Sequence, residues 1–214
     1  LGDVYKRQDS GRFDWEAAGT FPTMTEPYEG YHGIDFSEEF GPQAFIMRAR
    51  SEGLRDFGAT LSPQNAFYIL QGIETLSLRM QKHVENAQIV SKWLENDPRI
   101  EKVTYAGLES SPYYDRIERI CPKGAGALFT FAIKGGYDAC VKLIDSVELF
   151  SHVANLGDAR SLIIHSASTT HRQLSDEQRV AAGADNNVVR VSIGIEDPAD
   201  IIADLDQALA KATA

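Results

Sequence analysis

The sequence predicts an α/β protein in two unlike parts, a helical, loop-rich first third and an α+β remainder built on a largely antiparallel sheet. Three observations predict it. Short alternating or continuously apolar runs, Ile100–Tyr105, Ala127–Ile133 and Val188–Ile193, all fall after Pro98. Helical periodicity precedes that proline and returns at the C-terminus, where Ile201, Ile202, Leu205 and Leu209 make one apolar stripe. The first third has no strand series of its own, so it reads as the trailing edge of a domain whose sheet lies elsewhere.

Taken in order, residues 9–43 are rich in Gly, Pro and aromatics, and the turn residues of Asp9–Trp15 and Tyr28–Gly33 read as loop. A loop this long points to a site or to a wrapped partner. Helical signals begin at Pro42, with Ala44, Phe45, Met47 and Leu54 near a 3.6-residue period and a stop at Arg55–Gly58. Ser62 caps a second helix and Pro63 takes its first position, with Ala66, Phe67, Ile69, Leu70, Ile73 and Leu76 as the apolar face. A third runs from about Leu76 to Asn96, its apolar side Val84, Ala87, Ile89, Val90, Trp93 and Leu94, and Pro98 closes it. Ile100–Tyr105 alternates like a half-buried strand, whereas Ala127–Ile133, between glycine pairs, reads as a more buried one. A helix over Tyr137–Ser146, short strands near Leu149–Val153 and Ser161–Ile164, the strand Val188–Ile193 and a helix opened by Pro198 complete the chain.

Composition excludes several functions. Acids outnumber bases 31 to 21 over 214 residues, for a net charge of -10, and no basic cluster stands out. Nucleic acid is therefore not the expected partner, because phosphate neutralisation drives most of that affinity. No run approaches the roughly 18 apolar residues a membrane helix needs, and Leu1–Gln8 lacks the regions of a signal peptide. A cytoplasmic location is expected. Cys121 and Cys140 form no CxxC or zinc spacing and read as reduced packing thiols. The histidines, three of them at 152, 165 and 171, show no HExxH or HxH pairing, so no metal is expected. No GxSxG elbow is present, and the glycines at 124, 126, 135 and 136 match neither GxGxxG nor a Walker loop.

The chemistry concentrates in Leu156–His171 and Arg190–Asp197. Arg190 interrupts Val-Val-x-Val-Ser-Ile, where a central charge costs on the order of several kcal/mol unless paired. Its planar fork suits a carboxylate, and the residues alone leave open whether that carboxylate belongs to the protein or to a ligand. The stretch Ser161–His171 also sets hydroxyls and imidazoles beside apolar residues, which is odd for a plain core.

These segments carry a resemblance. Leu-Gly-Asp-x-x-Ser-Leu-x-x-His-x-Ala-Ser-x-Thr-His (156–171) followed by Val-Arg-Val-Ser-Ile-Gly-Ile-Glu-Asp (189–197) resembles the C-terminal signature of the cysteine/methionine-metabolism enzymes that use pyridoxal 5'-phosphate (PLP). Leu61–Ala66, Gly72–Met80, Tyr105–Tyr113, Gly124–Phe131 and Leu149–Asp158 extend it over residues 9–213. Asp9–Trp15 and the insertion Thr25–Gly33 before Glu39–Pro42 look like the O-acetylhomoserine sulfhydrylase branch. The resemblance implies a type I PLP-dependent transferase fold, here the trailing part of the large domain (9–75) and the α+β small domain (76–214). It implies PLP in the complete enzyme, an electron sink that lets protons leave Cα and Cβ of O-acetyl-L-homoserine and acetate depart. Sulfide or methanethiol then adds, giving homocysteine or methionine. It assigns the substrate α-carboxylate to Arg190, with Ser161 beside it, and a homo-oligomeric state, dimer or tetramer.

The pattern also departs from the family. Its Schiff-base lysine lies in Ser-x-Thr-Lys, which this chain does not contain. Residues 1–8 fit neither the Gly-Gly strand expected before Asp9-Ser-Gly11 nor a helix, and read as foreign sequence, so Lys6 is not that lysine. No catalytic or cofactor-binding residue is therefore expected in the chain, which should be inactive alone. Ser166 stands where the family usually has Pro. Cystathionine γ-synthase and methionine γ-lyase chemistry are alternatives within the family, and an inert binding module is the alternative outside it. Apolar faces around Phe45, Phe57 and Phe67 are expected to lack the sheet they normally cover.

Overall fold

The structure is a computed structural model that describes residues 8–214, and the chain divides into two units between Leu70 and Gln71. The expected domain boundary, at 75/76, lies just beyond that division. Lys6, and all but the last residue of the octapeptide 1–8, lie outside the described residues.

The first unit opens on short helices where residues 9–43 were expected to be loop, and the helix expected from Pro42 follows. Helix α1 (Trp15–Ala18) starts at Asp14, whose side chain accepts from the Ala17 amide at 2.9 Å, and stops at Gly19 in the left-handed region. Helices α2 (Pro22–Thr25) and α3 (Phe36–Phe40) follow, the latter capped by Asp35, and α4 (Ala44–Arg48) runs on into a π-helical stretch, Ala49–Asp56. Elements of four or five residues show no readable 3.6-residue period, which is why the pattern suggested loop. Met24, Phe36 and Ala44 are buried, with Trp15, Tyr28, Tyr31 and Phe45 packed around them. The Arg48 guanidinium lies 4.6 Å from the Tyr28 ring and 5.1 Å from Phe36, and pairs with Glu52 at 2.9 Å.

Helix α5 (Pro63–Glu74) begins as the sequence predicts, with the Asn65 amide donating to the Ser62 hydroxyl at 3.1 Å. Ala66 and Ile69 are half-buried, but most of its large apolar residues are not covered. Phe67, Leu70 and Ile73 are exposed, as is Phe57 at 83%, whereas Phe45 is half-buried.

The second unit contains α6 (Leu76–Glu95), β1 (Ile100–Thr104), α7 (Tyr114–Ile120), β2 (Leu128–Ile133), α8 (Gly136–Ser146), β3 (Ser151–His152), β4 (Leu162–His165), α9 (Asp176–Ala181), β5 (Val188–Ser192) and α10 (Pro198–Ala212). Its sheet has the order β1-β2-β5-β4-β3; every pairing is antiparallel except β3 with β4. Phe129 pairs with Val191 and Phe131 with Val189, and Val191 also pairs with Ile163. These residues form one buried face with Ala87, Val90 and Leu94 of α6, Leu143 of α8, and Leu205 and Leu209 of α10. Burial of six such branched and aromatic side chains contributes roughly 10 to 15 kcal/mol before conformational entropy is charged against it.

Strand β2 is more buried than β1, as expected, and alternates between buried and more exposed positions because only one of its faces meets helices. The sequence reading differs from the structure at two points. Ile89 lies exposed, off the buried stripe of α6. Helices α7 and α9 were not anticipated. Among the described residues no helix is long and apolar enough to cross a membrane.

Candidate functional site

Strand β5 is central, and its pleat decides where Arg190 goes. Val189 and Val191 are fully buried in the core, so Arg190 between them projects to the opposite face of the sheet. Its strand neighbours there are Thr130 of β2 and Ile164 of β4. The side chain is half-buried, and one guanidinium nitrogen donates to the Asn155 carbonyl at 3.2 Å. Among the described residues no carboxylate lies within ion-pair distance of it. A half-buried fork with one carbonyl partner among the described residues retains donors for an anion.

Asn155 belongs to the connection between β3 and β4, residues 153–161, here termed the strap. The strap is stitched to β5 and to the turn after it. The Gly157 amide donates to the Ser192 hydroxyl at 3.1 Å, and the Ile195 amide donates to the Ala159 carbonyl at 2.9 Å. Gly157 has φ +74°, the left-handed region that favours glycine. At the end of the strap the Glu196 carboxylate accepts from the Ser161 amide at 2.6 Å and from its hydroxyl at 2.9 Å, while that hydroxyl accepts from the Gly194 amide at 2.9 Å.

The turn itself is tied to α6. The His83 Nδ1–H donates to the Ile193 carbonyl at 2.6 Å; the Asn86 amide donates to the carbonyls of Gly194 at 3.0 Å and Glu196 at 2.8 Å. Both side chains are buried. A Cβ at position 194 would run into Glu196, the Ala159 carbonyl and the Ser161 amide, so the close approach of turn and strap requires glycine there.

The structure thus brings Arg190 and Ser161 into one network but gives them different surroundings. Arg190 retains donors for a ligand. Ser161 is 0% exposed, and its amide, carbonyl and hydroxyl all have protein partners, so its observed contacts are with the frame of the site. Sequence reasoning assigned no role to Glu196, Asn155, His83 or Asn86. Glu196 stood inside a quoted motif, and His83 and Asn86 were polar residues three apart on the inward side of an amphipathic helix, a signal that could have been used. Asn155 also stood inside a quoted motif, Leu149–Asp158, but it acts through its main-chain carbonyl, which side-chain patterning does not reveal.

His165, whose imidazole suggested chemistry, is buried, and its Nε2 and Nδ1 lie 3.0 Å from the Asn186 carbonyl and the Ser168 hydroxyl. Burial pushes its pKa below the usual imidazole value. Among the described residues no group of His, Cys, Asp or Glu could hold a metal ion. The residues fit a PLP site in part: they offer a cation for an amino-acid carboxylate and no Ser-x-Thr-Lys for the cofactor.

The model of the family Cys/Met metabolism PLP-dependent enzyme matches residues 29–210. O-acetyl-L-homoserine sulfhydrylase 1 of Thermus thermophilus is 47% identical over 202 residues, which are 94% of this chain and 48% of that protein. Homocysteine synthase of Schizosaccharomyces pombe is 45% identical over 202 residues, 94% of this chain and 47% of its own length. A crystal structure from Campylobacter jejuni, described as an O-acetylhomoserine (thiol)-lyase with N'-pyridoxyl-lysine-5'-monophosphate, superposes with a TM-score of 0.78 at 41% identity, covering 88% of this chain and 45% of that one. The chain spans about half the length of the curated relatives it matches.

Proposed function

Because this chain belongs to the Cys/Met metabolism PLP-dependent enzyme family, we propose that it forms the carboxylate-binding part of an O-acetylhomoserine sulfhydrylase. The observation that carries the reading is Arg190, a half-buried cation on the far face of the sheet whose protein partner is a main-chain carbonyl. An amino acid's α-carboxylate is the natural match for its fork. Held there, O-acetyl-L-homoserine is fixed at one end, which limits the directions in which its Cα and its acetyl ester can point. PLP, when bound, supplies the electron sink that makes loss of the α-proton feasible. Sulfide or methanethiol replaces acetate, giving homocysteine or methionine. Ser161 is proposed to serve the same carboxylate site through the strap that it closes. The sulfhydrylase reading is preferred over cystathionine γ-synthase or methionine γ-lyase because the similar proteins named above are an O-acetyl-L-homoserine sulfhydrylase, a homocysteine synthase and an O-acetylhomoserine (thiol)-lyase. The proposal includes cytoplasmic location and a homo-oligomeric enzyme.

The test is turnover by the full-length protein. O-acetyl-L-homoserine and sulfide should yield homocysteine, and cystathionine formation or methanethiol release as the dominant activity would refute the assignment. Arg190→Ala should raise KM for O-acetyl-L-homoserine by the equivalent of about 2 to 5 kcal/mol, and an unchanged KM removes Arg190 from the site.

A further inference from the structure

We propose that Glu196 is a positioning residue for the Arg190 clamp, acting through the strap; this rests on the reading of Arg190 as the carboxylate ligand. Its carboxylate is half-buried, yet among the described residues no lysine or arginine pairs with it. Both oxygens go to one residue, Ser161, at 2.6 Å and 2.9 Å. Charge-assisted bonds of that length are the strong kind, and they are used to hold the end of a connection rather than to neutralise a charge.

His83 and Asn86 fix the main chain of the turn 193–196 to α6 through three carbonyls. Glu196 reaches back from that turn and holds Ser161 against it, with the Gly194 amide bonded to the same hydroxyl. From Ser161 the strap is zipped along β5 by the Ala159 and Gly157 contacts, and it ends with the Asn155 carbonyl on the Arg190 guanidinium. The Glu196 side chain bonds Ser161 and not Arg190. It sets where the Asn155 carbonyl sits, and that carbonyl sets the direction of the fork.

Glu196→Gln keeps the shape and replaces one acceptor oxygen by a donor that faces the Ser161 amide or hydroxyl. In the full-length enzyme this variant should raise KM for O-acetyl-L-homoserine about tenfold, the order of one charge-assisted bond. KM for sulfide, which has no carboxylate, should stay unchanged, and kcat should change little. Amide exchange over residues 153–161 of the unliganded protein should quicken. In the Arg190→Ala background the Glu196 change should add nothing, because both act on one interaction. A KM unchanged in Glu196→Gln while Arg190→Ala raises it overturns this inference alone, as does full additivity of the two changes. An Arg190→Ala enzyme with unchanged KM overturns the reading of Arg190 and this inference together. If Glu196→Gln fails to fold, Ser161→Ala removes the hydroxyl's bonds with Glu196 and the Gly194 amide and spares the Ser161 amide bond to Glu196; about a threefold rise in KM is expected, and none overturns the proposal.

Discussion

Gly194 and His165 show how single positions are constrained from opposite directions. At Gly194 the limit is space: Glu196, Ala159 and Ser161 occupy the volume that a methyl group would need. Gly194→Ala is expected to cost about 1 to 3 kcal/mol, read as a lowered urea midpoint with unchanged slope. At His165 the limit is charge. Its folded pKa is lowered by burial, with the Asn186 carbonyl working in the opposite direction, so below the unfolded value of about 6.5 the unfolded chain binds more protons. Stability from this residue is therefore full above that pH and declines as pH falls toward the folded pKa. The unfolding midpoint should drop between pH 7.5 and 5.5, and His165→Gln should flatten that slope. The sequence made Arg190 conspicuous because a charge broke an apolar strand, whereas the His165 imidazole looked chemically promising and proved to be packing. A histidine's partners, here one carbonyl and one hydroxyl brought in by other segments, are not written beside it.

At the scale of elements, the strap and the residues leading into it are held by two acids from the C-terminal segment. Glu196 holds Ser161, and Asp204 on α10 accepts from the amides of Glu148, Leu149 and Phe150 at 2.8, 2.9 and 3.2 Å. Asp204→Ala should leave those amides short of an acceptor and cost about 1 to 3 kcal/mol, visible as a lowered thermal midpoint and faster exchange over 147–152. Helix α9 is held more lightly, by a capping box in which Ser175 and Gln178 bond each other's amides. Ser175→Ala should cost about 1 kcal/mol, with faster exchange in α9. That box was legible as Ser-Asp-Glu-Gln, but six residues carry too little apolar period to announce a helix. The longer helices and the β-branched strands were legible because their faces repeat several times. What could not be read was the face each strand leaves uncovered, since that depends on which helices return to pack there.

At the scale of the molecule, α5 presents Phe67, Leu70 and Ile73 to solvent, with Phe57 nearby in sequence. Uncovered faces were expected from a helical segment with no strands of its own, although Phe45 found partners within the first unit. The chain produced alone should self-associate at micromolar concentration and bind a hydrophobic dye, and Phe67→Glu with Leu70→Lys should diminish both in sedimentation and fluorescence. The form of that association follows from the margins of the sheet. One outer strand, β3, has two residues, and the other, β1, carries a register shift between Ile100 and Lys102 beside the charges of Glu101 and Lys102. Neither margin offers a long, flat template for another chain's backbone. Clusters of this protein should therefore disperse on dilution and stay dark with amyloid-sensing dyes, because the contacts that build them are side chains on helices and not a growing ladder of strands.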